Sequence, residues 1–333
     1  MINEKISVCI PVYNGAATIK QTIESVLSQT MTDFELVVVD NVSTDKTVDI
    51  VKFANDERIK LYVNDKNIGA AKNLEVCKNK AKGEIIYYVC ADDVLDREAL
   101  KNTYEAFQIS DDIGVVARPY YWFDEDISKA VRAKKQFKEN QIVSINDNYE
   151  KVTDVFRLLD QVSGIGLRKK YICTSFSTEY FVEMASVVVP VFKKTKAVIL
   201  KGNPVAVRIG DGTRIPSLYV DSPMLAWNKL VTNTFCEEKF TGLRKYLINN
   251  FVANNFIGLI QIKNFGGFKS FIREVYYLIK LKWLNIISLR FWFFFLGILI
   301  VPRFLLRKMA VVYKNNINSR FLKDIVIIDR GKR

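Results

Sequence analysis

The sequence predicts an α/β fold: a mostly parallel, Rossmann-like central sheet with helices on both faces, followed by a separate helical C-terminal segment. Three observations predict it. Between Ile6 and Ala117, short apolar, β-branched runs alternate with stretches whose apolar residues recur at helical spacing. Several of those runs end in polar clusters, Tyr13-Asn14, Asp40-Asn41 and Asp92-Asp93. Charge is also divided unevenly: the net charge is +13, yet residues 261–333 hold 15 Lys/Arg against 3 Asp/Glu, so the preceding body is almost neutral.

The elements read in order as follows. Ile6–Val12 is apolar enough for a strand buried on both faces, and Pro11-Val12-Tyr13-Asn14-Gly15 breaks it. Ile19, Ile23, Val26 and Leu27 lie on one helical face. Phe34–Val39 is the second strand, closing at Asp40, and Ser43 or Asp45 caps a helix carrying Val48, Val51 and Phe53. A short strand, Ile59–Val63, precedes Asn67-Ile68-Gly69-Ala70-Ala71-Lys72-Asn73, which opens a helix to about Lys80. Glu84–Val89 is a fourth strand, and Cys90-Ala91-Asp92-Asp93 follows it directly. A helix over Glu98–Ile109 leads to a strand at Ile113–Ala117. Asp124–Tyr149 is charged and reads as a mobile insertion or flap.

Composition removes several chemistries. The chain has no histidine, which excludes Ser-His-Asp and Cys-His catalysis and any imidazole metal ligand. Acid–base work falls to carboxylates, Lys, Tyr or Cys. None of the five cysteines forms a C-x-x-C pair, so reduced thiols fit better than a disulfide framework or a zinc site.

In doubly wound sheets ligands bind beyond the carboxyl ends of the strands, so the three polar clusters should meet on one rim. Adjacent carboxylates at Asp92-Asp93 suit Mg²⁺ or Mn²⁺ bridging to phosphate oxygens, or else cap a helix after the strand. Asp40 can accept from a base or ribose donor, or simply close its own loop. Asn67-x-Gly69 offers backbone N–H groups to an anion, although a turn and cap explain it as well.

Together these segments resemble glycosyltransferase family 2, of the GT-A fold. The matching residues are Ser7-Val8-Cys9-Ile10-Pro11-Val12-Tyr13-Asn14-Gly15, Ser25-Val26-Leu27-Ser28-Gln29-Thr30, Phe34–Thr47, Asn67–Asn73 and Ala91-Asp92-Asp93-Val94-Leu95, in order across residues 5–110. The resemblance implies that Pro11, Tyr13 and Asp40 line the base and ribose pocket. Asn14, Asn67, Gly69 and Lys72 complete the donor side, and Asp92 and Asp93 carry donor and metal. It implies an inverting transfer from a UDP-sugar to a hydroxyl of a glycan, polyprenyl-linked or lipopolysaccharide acceptor in cell-surface polysaccharide synthesis. The base is expected at a helix start, in Ser177–Met184: Glu179 is favoured, with Glu183, Asp211 and Asp221 as alternatives. Lys196–Arg208 reads as a strand pair. Two departures stand out: Asn41 replaces a frequent Asp, and Cys90 replaces the first Asp of a D-x-D-D run. Cys90 keeps open a second reading, a non-catalytic membrane-bound scaffold. A third, a nucleotidyltransferase, would need a Gly-rich phosphate loop after the first strand, which Pro11–Gly15 is not.

The expected organisation is a catalytic domain over 1–240, with a nucleotide-binding half (1–110) and an acceptor-side half (111–240), then a basic, aromatic, membrane-associating helical region over 241–333. Between Arg290 and Arg303 lie 12 uncharged residues. As a helix they reach about 18 Å, short of the roughly 30 Å hydrocarbon core. An interfacial or re-entrant helix is therefore favoured, with Trp283 and Trp292 near the headgroups. A tilted span with Arg290 and Arg303 snorkelling, or a buried helix of a soluble domain, stays open. Upstream, Phe265, Phe268, Phe271, Ile272, Val275, Tyr276 and Ile279, interrupted by Lys269, Arg273 and Lys280, suit an anionic membrane surface. Contiguous aromatics argue against nucleic acid. The N-terminus lacks a basic start and apolar run, so the expected location is the cytoplasmic face of the membrane.

Overall fold

The computed structural model describes residues 5–202, 205–209, 219, 221–256, 258–302 and 304–305. Its strands are β1 Ile6–Val12, β2 Phe34–Asp40, β3 Ile59–Val63, β4 Ile85–Tyr88, β5 Val94–Leu95, β6 Ile113–Ala117, β7 Tyr121–Phe123, β8 Arg132–Ala133, β9 Gln141–Ser144, β10 Ile165–Arg168, β11 Lys196–Ile199 and β12 Val205–Arg208. The α-helices are α1 Ile19–Leu27, α2 Thr47–Phe53, α3 Ala70–Lys80, α4 Ala99–Gln108, α5 Tyr149–Phe156, α6 Ala185–Lys194, α7 Pro223–Thr234, α8 Thr241–Asn250, α9 Gly258–Gln261, α10 Gly267–Leu281 and α11 Leu289–Ile300.

Eight strands form one sheet in the order β3-β2-β1-β4-β10-β6-β11-β9, in which β10 and β9 run antiparallel to their neighbours. The other pairings, β1 with β2 and β4, β2 with β3, and β6 with β11, are parallel. Alternate residues of the central strands feed opposite faces, as the two-residue period of a strand requires. Val8, Ile10, Leu36 and Val38 pack with α1, α2 and α4. Cys9, Val37 and Val39 pack with α3, α5 and α6. The chain leaves β1 towards β2 on one side and β4 on the other, so a switch point opens above the carboxyl ends of β1 and β4.

The expected elements up to Ala117 are present within a residue or two, except that the third helix, expected to open over Asn67–Asn73, starts at Ala70. Two expectations are corrected. Asp124–Tyr149 is not simply a flap: it contributes β8 to a small sheet and β9 to the edge of the large one. Lys196–Arg208 is not a strand pair either. β11 joins the large sheet, whereas β12 sits in the small sheet, ordered β5-β12-β7-β8. That small sheet begins immediately after Asp93, and it brings Arg208 back beside the acidic motif.

The second apolar cluster continues beyond α6 through Trp227 of α7, Leu247 of α8, Phe271 of α10 and Phe291 of α11. The tail helices are tied down by polar groups as well. Glu274 of α10 is fully buried and accepts from Ser222 Oγ at 2.9 Å and Met224 N at 3.3 Å, filling the amino end of α7. Buried Lys263 donates to the carbonyls of Ile298, Leu299 (3.2 Å) and Val301 (2.9 Å), closing the carboxyl end of α11. Among the described residues no helix is long and apolar enough to cross a membrane. Asp211, Arg303 and residues 306–333 lie outside the described residues.

Candidate active site

The loops after β1 and β2 are laced together by side chains gripping backbone N–H groups. Asn14 N donates to Ser43 Oγ (2.8 Å), Gly15 N to Thr47 Oγ1 (2.8 Å) and Ala16 N to Asp45 Oδ2 (3.0 Å). In return, Asn14 Oδ1 accepts from Thr44 N at 2.8 Å. Asn14 and Val42 adopt left-handed backbone, with φ of 52° and 66°. For β-branched Val42 this is strained by roughly 1–3 kcal/mol, a conformation that persists only where the surroundings fix it. Pro11 is half-buried in β1, and Tyr13 is 45% exposed on the rim.

Asp40 closes β2 and is buried. Its Oδ2 accepts from Ser43 N at 2.8 Å, while its Oδ1 is buried without a hydrogen-bond partner among the described residues. An unmatched buried carboxylate oxygen is costly, by about 1–3 kcal/mol, and its place at a strand's carboxyl end fits a ligand N–H or O–H.

Beside it, four asparagines bind the ends of β2 and β3 to the start of α3. Asn41 Nδ2 donates to Asn67 Oδ1 (2.8 Å), and Asn41 Oδ1 accepts from Asn64 Nδ2 (3.0 Å) and Ile68 N (3.0 Å). Asn64 also reaches Asn73 Oδ1 at 2.8 Å, and Asn73 Nδ2 reaches the carbonyl of Val39 at 2.9 Å. This explains Asn in place of Asp at position 41: the side chain must donate and accept at once. Asn67 is thereby committed to shaping the loop, including an acceptor role for Gly69 N at 3.0 Å. Gly69 has φ of +82°, which favours glycine, and nothing lies where its Cβ would be. Lys72 is exposed in the first turn of α3.

The acidic motif is held from three directions. Asp93 is buried; its Oδ1 accepts from Arg208 N at 2.9 Å, and its Oδ2 accepts from Gln161 Nε2 at 3.1 Å and from Ser163 Oγ. Burial, and then the neighbouring Asp92 charge, hold its carboxyl well above the usual range. Arg208 Nε donates to the Asp92 carbonyl (3.2 Å), its guanidinium also reaches Gln21 Oε1, and it lies 4.5 Å from the Phe123 ring centroid. Thr18 Oγ1 grips the Ala91 carbonyl at 2.9 Å. Ser163 Oγ accepts from Cys90 N at 2.7 Å. The Cys90 sulfur and one oxygen each from Asp92 and Asp93 all lie within 4.8 Å of one another, close enough for one cation. Behind them Arg118 is fully buried, and none of its three nitrogens has a hydrogen-bond partner among the described residues. A side chain at Gly164, where φ is +78°, would collide with Arg118 Nε.

The segment expected to carry the base packs on this end of β4 through Phe176, whose ring lies 5.5 Å from Tyr88. Glu179 lies on irregular chain and pairs with Lys229 at 2.8 Å, the two side chains being 42% and 52% exposed. The helix starts only at Ala185, with Met184 as its N-cap, so Glu183 stands one residue before the cap and Glu179 five. Glu183 is half-buried, and burial pushes its carboxyl up. Between the two, Phe181 is held at φ 75°, an outlier for a bulky residue. Asp221, another alternative, precedes Ser222, the N-cap of α7. Arg208, Ser163, Gln161 and Arg118 were not foreseen as site residues.

A family model described as Glycosyl transferase family 2 matches residues 7–161. Residues 7–161 therefore match as a family 2 domain. Glycosyltransferase GlyG of Streptococcus pneumoniae serotype 4 is 32% identical over 126 residues, 37% of this chain and 42% of GlyG. Poly(ribitol-phosphate) beta-N-acetylglucosaminyltransferase TarS of Staphylococcus aureus strain Mu50 is 37% identical over 102 residues, 29% of this chain and 18% of TarS. The chain thus aligns with less than half the length of either relative. A crystal structure of S. aureus TarS 1-349 in complex with UDP matches with a TM-score of 0.64 at 18% identity, covering 99% of this chain and 98% of that chain. The likeness shows that this chain has the GT-A fold.

Proposed function

We propose that this chain is an inverting glycosyltransferase that moves a sugar from a UDP-sugar to a hydroxyl of a glycan or lipid-linked saccharide at the cytoplasmic face of a membrane. The observation that carries the reading is the convergence of the loops after β1, β2 and β4 on one rim, with an unmatched Asp40 oxygen among them. Asp40 Oδ1 accepts from the base or ribose, and Pro11, Tyr13 and Asn14 lie on the same rim. Lys72 brings positive charge to the donor side of α3. A divalent cation held by Asp92 and Asp93, Mg²⁺ or Mn²⁺, neutralises charge on the departing diphosphate when bound. Asp93, fixed by three donors, sets the orientation of the motif. Glu183, raised by burial and lying just ahead of α6, takes the proton of the attacking hydroxyl. Glu179, held by Lys229, positions the segment. TarS acts, by its name, on poly(ribitol-phosphate), and a surface glycan of that kind fits the acceptor class proposed here.

The membrane part of the reading rests on α11. Its twelve residues include no acidic group and one basic group, Arg290, yet only Phe291 and Ile298 are buried. Leu289 is 87% exposed, Phe293 75% and Ile300 75%. A helix that is apolar all round and covered along one stripe suits partial immersion in an anionic bilayer, a monotopic attachment.

A thermal-shift screen of nucleotide sugars, with and without Mn²⁺, tests the reading. Stabilisation by a UDP-sugar that depends on the cation is expected. Cation-dependent hydrolysis of the same donor separates an enzyme from a scaffold that only binds. No shift with any nucleotide sugar would overturn the proposal.

A further inference from the structure

Cys90 stands where the family resemblance calls for an aspartate, and the transfer chemistry above gives its thiol no task. We propose that Cys90 is a third ligand of the cation held at Asp92 and Asp93, and that its sulfur makes the site prefer soft, thiol-accepting ions such as Cd²⁺ and Zn²⁺ over Mg²⁺. The inference rests on reading Asp92-Asp93 as a cation site. Three observations carry it.

The first is distance. The sulfur and the two carboxylate oxygens lie within 4.8 Å of one another. With metal–sulfur bonds near 2.3 Å and metal–oxygen bonds of about 2.0–2.2 Å, three ligands of one ion stand at most about 3.9 Å from one another. One ion can therefore reach all three atoms if the side chains close by up to about 1 Å.

The second is preorganisation. Cys90 N donates to Ser163 Oγ at 2.7 Å, and that hydroxyl in turn donates to Asp93, so a single side chain fixes two of the proposed ligands. Asp93 N closes a turn on the Cys90 carbonyl at 3.2 Å, and Ala91 and Asp92 are gripped through their carbonyls by Thr18 and Arg208. A cysteine kept only to fill space would face apolar neighbours, as Cys9 and Cys77 do in the core. Cys90 faces two carboxylates.

The third is charge. Three anionic ligands around a divalent ion leave one negative charge, expensive to bury. Arg118 sits fully buried behind the motif, with no hydrogen-bond acceptor among the described residues, so its positive charge is available to offset that excess. The guanidinium completes a neutral cluster. When the sulfur–metal bond forms, the thiol proton passes to solvent, so soft-ion binding releases one proton more than binding by the two carboxylates alone.

The experiment titrates the full chain with CdCl₂ and follows the sulfur-to-cadmium charge-transfer absorption, with Mn²⁺ binding followed separately by electron paramagnetic resonance. Comparing wild type with Cys90→Ser removes the contribution of the exposed Cys173 and Cys236. The wild type should show a saturable band that Cys90→Ser lacks, with Cd²⁺ affinity about tenfold or more lower in the variant. Cys90→Ser should still bind Mn²⁺, Cys90→Asp should gain Mg²⁺ affinity, and Asp92→Asn should lose both Cd²⁺ and Mn²⁺. If wild type binds Mn²⁺ while the cadmium band is unchanged by Cys90→Ser, the proposal is wrong and the cation site stands. If neither ion binds wild type, both fall together.

Discussion

The rim above β1, β2 and β4 and the outer face of α11 are opposite kinds of surface. At the rim, side chains and backbone groups are matched pair by pair: Asn41 donates and accepts, Asp93 accepts three times, and Asp40 Oδ1 is left over. On α11 the one charged side chain is Arg290, and what is unmatched is area, at Leu289, Phe293 and Ile300. The contrast shows how each ligand announces itself. A small polar ligand is marked by one unsatisfied atom inside a satisfied network; a bilayer is marked by apolar surface that no element of the chain covers.

The sharpest way to break the rim side of this comparison is Glu183→Gln. If Glu183 is the base, kcat should fall by on the order of 10²–10⁴-fold with donor binding unchanged, whereas Glu179→Gln should cost little. Because burial raises the Glu183 carboxyl, it takes up a proton at higher pH than an ordinary glutamate. Transfer should accordingly decline on acidification from that higher pH, and the variant should lose this acid limb. A pH–rate profile for both proteins decides the assignment; the reverse pattern would return the role to Glu179. Next in size is Asp92→Asn, expected to lower transfer by on the order of 10²–10³-fold through lost charge stabilisation. The stabilisation that a UDP-sugar gains from Mn²⁺ in the wild type should be lost in this variant, read by thermal shift.

The tail side is broken by replacing Leu289, Phe293 and Ile300 with serine. Each fully immersed apolar side chain contributes roughly 1.5–3 kcal/mol, so the triple variant should leave anionic vesicles almost entirely in a flotation assay. Since all three side chains are exposed, melting temperature and donor hydrolysis should hold. Deleting the tail would be a poorer test. Glu274 fills the amino end of α7, and Phe271 and Phe291 belong to the cluster under α6, so a chain ending near Asn264 exposes core as well as losing the membrane face.

Much of the fold was legible because β1 and β2 are buried on both faces and their composition says so. The site was legible where its residues follow a strand in sequence, as Asp40 and Asp92-Asp93 do. It was not legible where chain ends of separate sheets meet: Arg208 lies 115 residues from Asp93, and only the small sheet brings them together. Glu179 is favoured by the sequence because Ser177–Met184 reads as the helix start at which the resembling family places its base. In the structure Ser177 Oγ is spent on Glu179 N, at 3.1 Å, in a local turn that delays the helix to Ala185. The flap reading of 124–149 failed for a related reason: β9 is four residues long and sits at a sheet edge, where little burial is needed to hold it.

The smallest effect tests the network itself. Asn41→Asp restores the residue common at that position in the resembling family, and intuition would call it harmless. The structure says otherwise, because Asn41 Nδ2 donates to Asn67 Oδ1 and a carboxylate has no hydrogen to give. Two acceptors would face each other beside buried Asp40, whose own charge adds repulsion. The variant should be less stable by about 1–3 kcal/mol in urea unfolding, with transfer falling less than tenfold. Pairing it with Asn67→Lys would supply a donor to the new carboxylate. Partial recovery of stability would show that the cost lies in that one bond. An Asn41→Asp protein as stable as wild type would mean that the loop rearranges freely, and that Asp40 Oδ1 is not held unmatched by a rigid frame.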